Sequence, residues 1–329
     1  MTADMTAEII DITTDREKAL ERACAVLADG FPVAIPTETV YGLAADATNP
    51  AAITRIYETK GRPRFNPLIC HMSDLAMAER YAVFDPVSEK LAETFWPGPL
   101  TLILPLRPES GIHSLATAGL DTVGIRLPKG FAADLIRAYG KPLAAPSANT
   151  SGGVSPTSAR HVADDLGDKL KLVIDGGAAP VGVESTILRV EGGALRLLRP
   201  GGVAAEEIET ATGLTVIRPE GPAAIIEAPG MLASHYAPGA SVRLNADHVE
   251  PGEVLIRLGA VPVKGIEQAA AIFDLSPSGD LAEAAANLFD YLKRADATGA
   301  TRIAVTPIPG HGLGEAINDR LARAAAPRK

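Results

Sequence analysis

Three cations stand close together in the segment KGRPR, residues 60–64. Pro63 ends the preceding predicted helix, so the cations lie at its C-terminal end, where positive charge complements the helix dipole. The same side chains suit an anion, because guanidinium groups pair with phosphate or carboxylate oxygens through two parallel hydrogen bonds. Asn66 follows and adds an amide. These residues alone leave both roles open, a helix cap and a site for a triphosphate.

Hydroxyl and amide side chains are concentrated in residues 145–157, between a predicted strand and a predicted helix. Such side chains cap helices and form turns, and they also donate hydrogen bonds to phosphate oxygens and a ribose. A second polar segment, residues 36–43, follows the first predicted strand of an α/β sheet, where ligand crevices form. His71 ends another predicted strand, where a histidine serves either as a packed core residue or as a ligand contact.

Several familiar catalytic signatures are missing from the sequence. It contains no GxxxxGK[ST], GxSxG or HExxH motif, which argues against P-loop kinases, α/β-hydrolases and zincins. The glycines at 310, 312 and 314 do not have GxGxxG spacing, so we interpret them as a strand-to-helix turn. Cys24 and Cys70 are too few for a disulfide framework or a four-thiolate zinc site, which favours a cytoplasmic location.

Composition narrows the class of protein further. An apolar fraction of 47% in 329 residues is enough for folded domains. Lys and Arg number 31 against 40 Asp and Glu, a net charge of −9, so a polyanion must be bound locally rather than by a basic surface. The acidic first ten residues do not resemble a secretory signal. The longest uncharged run, residues 142–159, is too polar to span a membrane, so we expect a soluble protein with no membrane partner.

The elements that must position these residues alternate between strands and helices. Asn49 and Pro50 predict a helix through Thr59, and residues 131–139 predict a helix ended by Gly140. Thr14 with Glu17 predicts a capping box for the first helix. The sequence therefore predicts an α/β fold with an open, twisted mixed sheet.

Two domains and a connector follow from the change in pattern along the chain. Residues 1–205 form the first domain, residues 206–240 a connector without a clear period, and residues 241–329 a smaller Rossmann-like α/β domain. Residues 217–238 carry several prolines, with Gly221 and Gly230 as hinges, and we predict that this part acts as a lid.

The motifs taken together resemble a known family. In chain order they read PTETVYGLAADA, KGRPRFNPLICH, TVGIRLP, APSANTSGGVSPTSA, ESTI, LLRPG and HYAP. This order is similar to that of the YrdC-like family, and most closely to its long two-domain form, the threonylcarbamoyl-AMP synthases. The resemblance implies formation of threonylcarbamoyl-AMP and pyrophosphate from L-threonine, bicarbonate or CO2, and ATP with Mg²⁺. The product would pass to the proteins that threonylcarbamoylate tRNA next to the anticodon, and the resemblance allows weak tRNA binding.

The resemblance also assigns roles to residues of this sequence. It implies that the pocket for threonine and its carbamate is lined by Thr39, His71, Arg126, the backbone at Ala145, and Ser185. It implies that ATP is held by Arg62, Asn66, Thr122, Ser147, Ser155 and Arg199, with Tyr236 of the connector covering the nucleotide. Lys60 and Arg62 would carry the catalysis by neutralising charge at the phosphates.

Two other classes are weighed against this enzyme. A non-catalytic module that binds double-stranded or transfer RNA would use the cations and the polar loop, but it would not require the predicted amino-acid pocket of Thr39, His71 and Ser185. A carbamoyl-adenylate domain of hydrogenase maturation would carry zinc-finger regions, which two cysteines cannot provide.

Overall fold

A computed structural model describes residues 7–218, 226–231 and 235–327. The strands of the first sheet are β1 (Glu8–Asp11), β2 (Val33–Ile35), β3 (Gly42–Asp46), β4 (Ile69–His71), β5 (Leu100–Pro105), β6 (Thr122–Arg126), β7 (Leu143–Ala144), β8 (Leu172–Asp175), β9 (Thr186–Glu191), β10 (Ala194–Arg199) and β11 (Val216–Ile217). The helices in the same part of the chain are α1 (Arg16–Ala28), α2 (Pro50–Lys60), α3 (Leu75–Tyr81), α4 (Pro86–Phe95), α5 (Ser114–Thr117), α6 (Phe131–Tyr139), α7 (Ala159–Leu166) and α8 (Ala205–Thr212).

The first sheet has eleven strands in the order β1-β8-β2-β3-β7-β4-β6-β5-β9-β10-β11. Parallel pairing joins β1 to β8, β8 to β2, β4 to β6, β5 to β9 and β10 to β11, and the other neighbours are antiparallel. Its central strands β2, β3 and β4 are buried along their whole length. The predicted mixed α/β sheet is confirmed.

Side-chain caps fix several helix starts. Asn49 accepts from the backbone N–H groups of Ala51 and Ala52 and begins α2 at Pro50, as the sequence predicts. The predicted capping box at Thr14 is wrong, because the Thr14 hydroxyl donates to the carbonyl of Asp11 at 2.9 Å. Asp15 caps α1 instead and accepts from the N–H of Lys18.

The second domain contains a smaller sheet. Its elements are β12 (Ser241–Arg243), β13 (Val254–Arg257), a 3-10 helix (Ile266–Gln268), β14 (Ala271–Asp274), α9 (Leu281–Ala297), β15 (Arg302–Val305) and α10 (Leu313–Ala325). The strand order is β12-β15-β13-β14, and all three pairs are parallel. The all-parallel pairing, with α9 as the helical crossover between β14 and β15, confirms the predicted smaller α/β domain.

The first sheet continues past the predicted domain boundary at residue 205. Helix α8 follows directly, and β11 pairs in parallel with β10 as the last strand of the eleven. Ile208 of α8 and Val216 of β11, which lie inside the predicted connector 206–240, are buried in the core of the first domain. The connector positions 219–225 and 232–234, with Gly221 and part of the predicted lid, lie outside the described residues.

The two domains share a hydrophobic core. Val40, Val154 and Val183 of the first domain belong to the same buried cluster as Leu288 of α9 and Ile317 of α10. The second domain is thereby packed against the loops at one end of the first sheet. Within the residues that the structure describes, no helix has both the length and the apolar character needed to cross a bilayer.

Candidate active site

The polar segments singled out in the sequence meet at one cleft of about 500 Å³, measured with its open mouth. The predicted site residues that line it are Thr39, Arg62, His71, Arg126, Ala145, Ser147, Ser185, Arg199 and Tyr236. The wall is completed by Val40, Ile69, Pro146, Glu184, Pro229, Gly230 and His235. Four predicted residues do not line the cleft: Lys60, Asn66, Thr122 and Ser155.

Strand register brings the two central residues together. His71 and Arg126 are the last residues of the parallel strands β4 and β6 and are register partners. Strand β7 runs antiparallel beside β4, with Leu143 opposite His71. The loop after β7 is fixed by a bridge between Gly42 and Ser147. This sheet edge is where ligands bind in open α/β folds.

Arg126 is held by partners on three sides. Its guanidinium donates to the Thr39 hydroxyl at 2.9 Å and to the Gly98 carbonyl at 3.2 Å, and it forms a buried ion pair with Glu38 at 2.7 Å. Glu38 also accepts from the backbone N–H of Lys129. Sequence reasoning did not assign a role to Glu38, although it lies inside the motif that contains Thr39. The carboxylate compensates the buried cation and sets the direction of its fork.

Arg199 and Ser185 form the next part of the wall. Arg199 donates to the Ser185 carbonyl at 2.9 Å and to its hydroxyl at 3.2 Å, while that hydroxyl also bonds Thr101 at 2.8 Å. The close approach of the two segments needs a glycine at 201, because a Cβ there would lie 2.3 Å from the Glu184 carbonyl oxygen. Ser185, a residue predicted to bind threonine, is therefore in direct contact with Arg199, a residue predicted to bind ATP.

Lys60 and Arg62, the two cations of the basic segment with predicted catalytic roles, both donate hydrogen bonds to backbone carbonyls. Lys60 is buried and donates to the carbonyls of Ser147, at 2.5 Å, and Asn149. Arg62 donates to the carbonyls of Asn66 and Pro67 at 3.2 and 2.8 Å. Only Arg62 reaches the cleft wall, whereas Lys60 fastens the polar loop that carries Ser147. Asn66 is buried beside Arg62 and supports it through its main chain.

Thr122 and Ser155 do not line the cleft. Thr122 is the first residue of β6 and is the register partner of Pro105 in β5. Ser155 is fully buried and donates to Glu184 at 2.5 Å. Ser155 therefore contacts a residue that lines the cleft, whereas the predicted nucleotide contact of Thr122 stays a prediction.

The connector crosses the cleft at two described segments. Gly230 has φ +87° and packs so closely on Arg199 that a Cβ would lie 2.7 Å from the Arg199 Cδ. Tyr236 also has positive φ, at 61°, and its ring is 1% exposed. That ring stacks on Phe289 of α9 at 5.5 Å between centroids. Tyr236 is therefore anchored in the second domain while it lines the cleft.

Burial sets the charge states around the cleft. Burial, together with the Arg126 guanidinium, lowers the pKa of His71 to about 3. Burial is also the main cause that lowers the pKa of His235 to about 3, so both imidazoles are neutral at neutral pH. Burial and the neighbouring Arg62 bring the pKa of Lys60 well below its usual value. Burial lowers the pKa of Arg62 to about 10, which leaves it a cation.

Several buried polar atoms at this site have no hydrogen-bond partner among the described residues. They include Asn66 Oδ1, His71 Nδ1, Asn149 Oδ1 and His235 Nδ1. Buried polar groups in folded proteins are nearly always paired, and exceptions mark places where a ligand or water binds. A neutral imidazole at His71 and at His235 offers either a donor or an acceptor there.

The acidic group in the wall is Glu184, which sequence reasoning left without a role. Burial alone would raise the pKa of this carboxyl, but Arg320, Arg199 and the Ser155 hydroxyl lower it to about 2. Its two oxygens are taken by Ser155 and by Arg320 of α10. No group of three histidine, cysteine or carboxylate side chains that could hold a metal ion occurs within the described ranges.

Arg320 is the site neighbour that the sequence could not have indicated. It lies on the last helix, outside every motif, and it reaches the first domain from the second. Glu184 could have been found from its place in the ESTI motif.

Two families of known proteins match the chain. Residues 25–201 match the family described as "Telomere recombination", and residues 203–326 match "Threonylcarbamoyl-AMP synthase, C-terminal domain". The chain is 39% identical to the threonylcarbamoyl-AMP synthase of Bacillus subtilis over 98% of this chain and 97% of that protein. It is 40% identical to the one from Pyrococcus abyssi over 93% of this chain and 94% of that protein.

Solved structures agree with these sequence matches. The fold superposes on Pyrococcus abyssi Sua5 complexed with L-threonine with a TM-score of 0.86 and 37% identity, covering 97% of this chain and 98% of that one. A Pyrococcus abyssi Sua5 variant in which a consecutive histidine and tyrosine are replaced by alanine gives a TM-score of 0.87 at 37% identity, covering 97% and 96%.

Proposed function

Because the chain belongs to the threonylcarbamoyl-AMP synthase family, we propose that its cleft forms L-threonylcarbamoyl-AMP and pyrophosphate from L-threonine, bicarbonate or CO2, and ATP. The observation that carries this proposal is the single cleft shared by the predicted threonine and nucleotide residues. Ser185, on the threonine side, bonds directly to Arg199, on the nucleotide side, so the two substrates would meet there.

The threonine end needs groups that recognise a zwitterion. Arg126 supplies the charge for a carboxylate, and Thr39 and Ser185 supply hydroxyls on either side of it. His71, held neutral by burial, adds one hydrogen-bonding ring nitrogen without a second positive charge. This set binds and orients an amino acid and leaves its amine free to react.

The reaction needs no protein nucleophile. The threonine amine bonds to the carbon of CO2 and loses a proton to give a carbamate, whose oxygen then attacks the α-phosphorus of ATP. Pyrophosphate leaves, and the mixed anhydride remains. We propose that Arg62 and Arg199 neutralise charge that develops on the phosphates, while Lys60 holds the loop that presents Ser147.

Magnesium enters this proposal as part of the substrate, MgATP. Both oxygens of Glu184 already accept hydrogen bonds, from Ser155 and Arg320, so we do not assign this carboxylate to the cation. Phosphate oxygens would hold the ion, which shields the triphosphate charge during attack. The connector residues His235 and Tyr236 would cover the nucleotide and keep water from the anhydride.

The product would be handed to proteins that transfer the threonylcarbamoyl group to tRNA. A labile anhydride requires a nearby acceptor, so we propose that this transfer occurs in the same compartment, the cytoplasm. Weak tRNA binding stays a prediction.

The test is incubation with MgATP, L-threonine and bicarbonate, followed by assays for pyrophosphate and the threonylcarbamoyl-AMP adduct. Omission of threonine should abolish pyrophosphate release while ATP still binds, since the carbamate is the nucleophile. Serine should react roughly 10- to 200-fold less efficiently, the discrimination that one methyl group gives. Equal rates with threonine and alanine would contradict the amino-acid pocket.

A further inference from the structure

The largest fully buried side chain in the described part of the chain is a charged one, Arg320. It is 0% exposed and lies on α10 of the second domain, yet its guanidinium reaches the first domain beside the cleft. Its Nε donates to Glu184 Oε2 at 2.8 Å, and Nη1 donates to the Pro200 carbonyl at 3.0 Å. The Arg320 guanidinium therefore binds both Glu184, which precedes Ser185, and Pro200, which follows Arg199.

The contact continues beyond Glu184. The other carboxylate oxygen, Oε1, accepts from the Ser155 hydroxyl at 2.5 Å. Arg320 also lies over the Tyr236 ring, with 5.1 Å between the guanidinium carbon and the ring centroid. A single residue of α10 therefore touches Glu184 and Tyr236 in the cleft wall and acts on Ser155 through Glu184.

A purely structural role does not explain this choice of residue. Burying an arginine and a glutamate removes both from water, and apolar residues of similar volume commonly stabilise an interface as well or better. The neighbouring interface residues Val183, Leu288 and Ile317 are apolar. Arg218 and Glu315 form a partly exposed ion pair between the same domains, whereas Arg320 is fully buried and its fork contacts Glu184 of the cleft wall.

The electrostatic consequence is local to the nucleotide side. Glu184 lies near Arg199, and without Arg320 its carboxylate would be compensated chiefly by Arg199. Arg199 would then be drawn to Glu184 and away from an incoming phosphate. With Arg320 in place, the negative charge is already paired and Arg199 keeps its fork on Ser185.

We infer that Arg320 is a positioning residue for the nucleotide, through which the second domain completes the ATP side of the cleft by fixing Glu184, Ser155 and Tyr236. This inference rests on the proposed function, because it assigns the second domain a part in substrate binding. It also predicts which kinetic constant changes more: the KM for ATP rather than the KM for threonine, since the predicted site residues that Arg320 reaches are Tyr236 and, through Glu184, Ser155, both on the ATP side.

The test compares Arg320→Met and Arg320→Lys with a matched control, Arg302→Met, in the full-length chain. Arg302 lies in the same domain and pairs with Glu250 on the surface, with 47% of its side chain exposed. Arg320→Met should raise the KM for ATP about 10- to 100-fold, the effect usual for a residue that holds a direct ligand in place, with the KM for threonine within about twofold. Arg320→Lys should lie between it and the parent.

Glu184→Gln combined with Arg320→Met supplies the second measurement. If Arg320 acts by neutralising and orienting Glu184, the double variant should lose less ATP affinity than the product of the two single effects. If Arg320→Met alone folds poorly, Arg320→Lys, which keeps a positive charge beside Glu184, replaces it in this comparison. Equal losses for ATP and threonine, or a strictly multiplicative double variant, would overturn the inference.

Binding of a non-hydrolysable ATP analogue separates this inference from the proposed function. If the parent makes no adduct but binds the analogue, and Arg320→Met weakens that binding, the inference stands and the proposed reaction fails. If the parent makes the adduct and Arg320→Met binds the analogue as the parent does, the inference fails and the reaction stands. No binding of the analogue by the parent contradicts both.

Discussion

Acidification should destabilise the protein through two buried histidines, His71 and His235. They are 4% and 9% exposed, and burial lowers the pKa of each to about 3. In the unfolded chain an imidazole has its ordinary pKa of 6.5. Their contribution to stability is therefore complete above pH 6.5 and is lost progressively as the pH falls toward 3, because only the unfolded state binds the protons.

The size of the effect follows from the two pKa values. Between about pH 7 and about pH 5 an ordinary imidazole becomes mostly protonated, whereas the folded histidines stay neutral. Linkage gives a loss in the free energy of unfolding of about 2 kcal/mol per histidine, or about 4 kcal/mol for both. Burial also lowers the pKa of His161, which adds a change of the same sign.

Urea unfolding at the two pH values measures this loss. Trp96 is the single tryptophan and lies in the first domain, so its fluorescence reports unfolding of that domain. His71→Gln should reduce the pH dependence by about 2 kcal/mol, because glutamine takes up no proton. His235→Gln should do the same, whereas the exposed residue His311, changed to Gln, should leave the pH dependence of the parent.

The reasoning fails if His71→Gln loses as much stability between the two pH values as the parent does. Only the difference between pH values counts, because the substitution also changes packing at neutral pH. In that comparison the contributions of His161 and of every other titrating group shared by the two proteins to the pH dependence cancel.

Three further predictions concern Arg62, Lys60 and the connector. Arg62→Ala should raise the KM for ATP roughly 10- to 150-fold, the worth of a charge-assisted phosphate contact. Lys60→Met should instead lower the thermal midpoint, because it leaves the carbonyls of Ser147 and Asn149 without their donor; an unchanged midpoint would contradict this role. Glu227 anchors the connector to the β9–β10 hairpin through ion pairs with Arg189 and Arg196, so Glu227→Gln should speed protease nicking of the connector in the free protein, measured by gel. ATP with threonine should slow the nicking of the parent. If neither Glu227→Gln nor the two substrates alter the nicking rate, this segment does not cover the cleft.

Elements with strong local signals were predictable from the sequence. Helix α6 has the predicted bounds, because Gly130 and Gly140 bracket an amphipathic run. Strand β1 was not predicted, since it is a four-residue edge strand with one buried residue and pairs with β8, far away in sequence. Strand β3 was also missed: it is rich in alanine, which has low strand propensity, and its five residues are all buried.

The residues of the candidate site also fall into those that the sequence could predict and those that it could not. Residues inside ordered motifs, such as Thr39 and Arg199, could be assigned by resemblance, and the structure brings them to one cleft. The contact of Lys60 with loop carbonyls could not be predicted, because a lysine beside arginines in sequence indicates a surface cation. Arg320 left no local signal, since its partner Glu184 is 136 positions away and nothing in the pattern of α10 distinguishes it from a surface arginine.

The pairing of Glu184 with Arg320 has a consequence for synthesis of the chain. The ribosome adds 136 residues between the two, which takes roughly 7–27 s at ~5–20 residues per second. During that interval the first domain can fold around β9 and β10, but Glu184 has no guanidinium from α10 to face and Tyr236 lacks its cationic neighbour. On the role that we infer for Arg320, the nucleotide side of the cleft is finished only when α10 emerges, so we expect a nascent chain that has folded only its first sheet to bind ATP weakly.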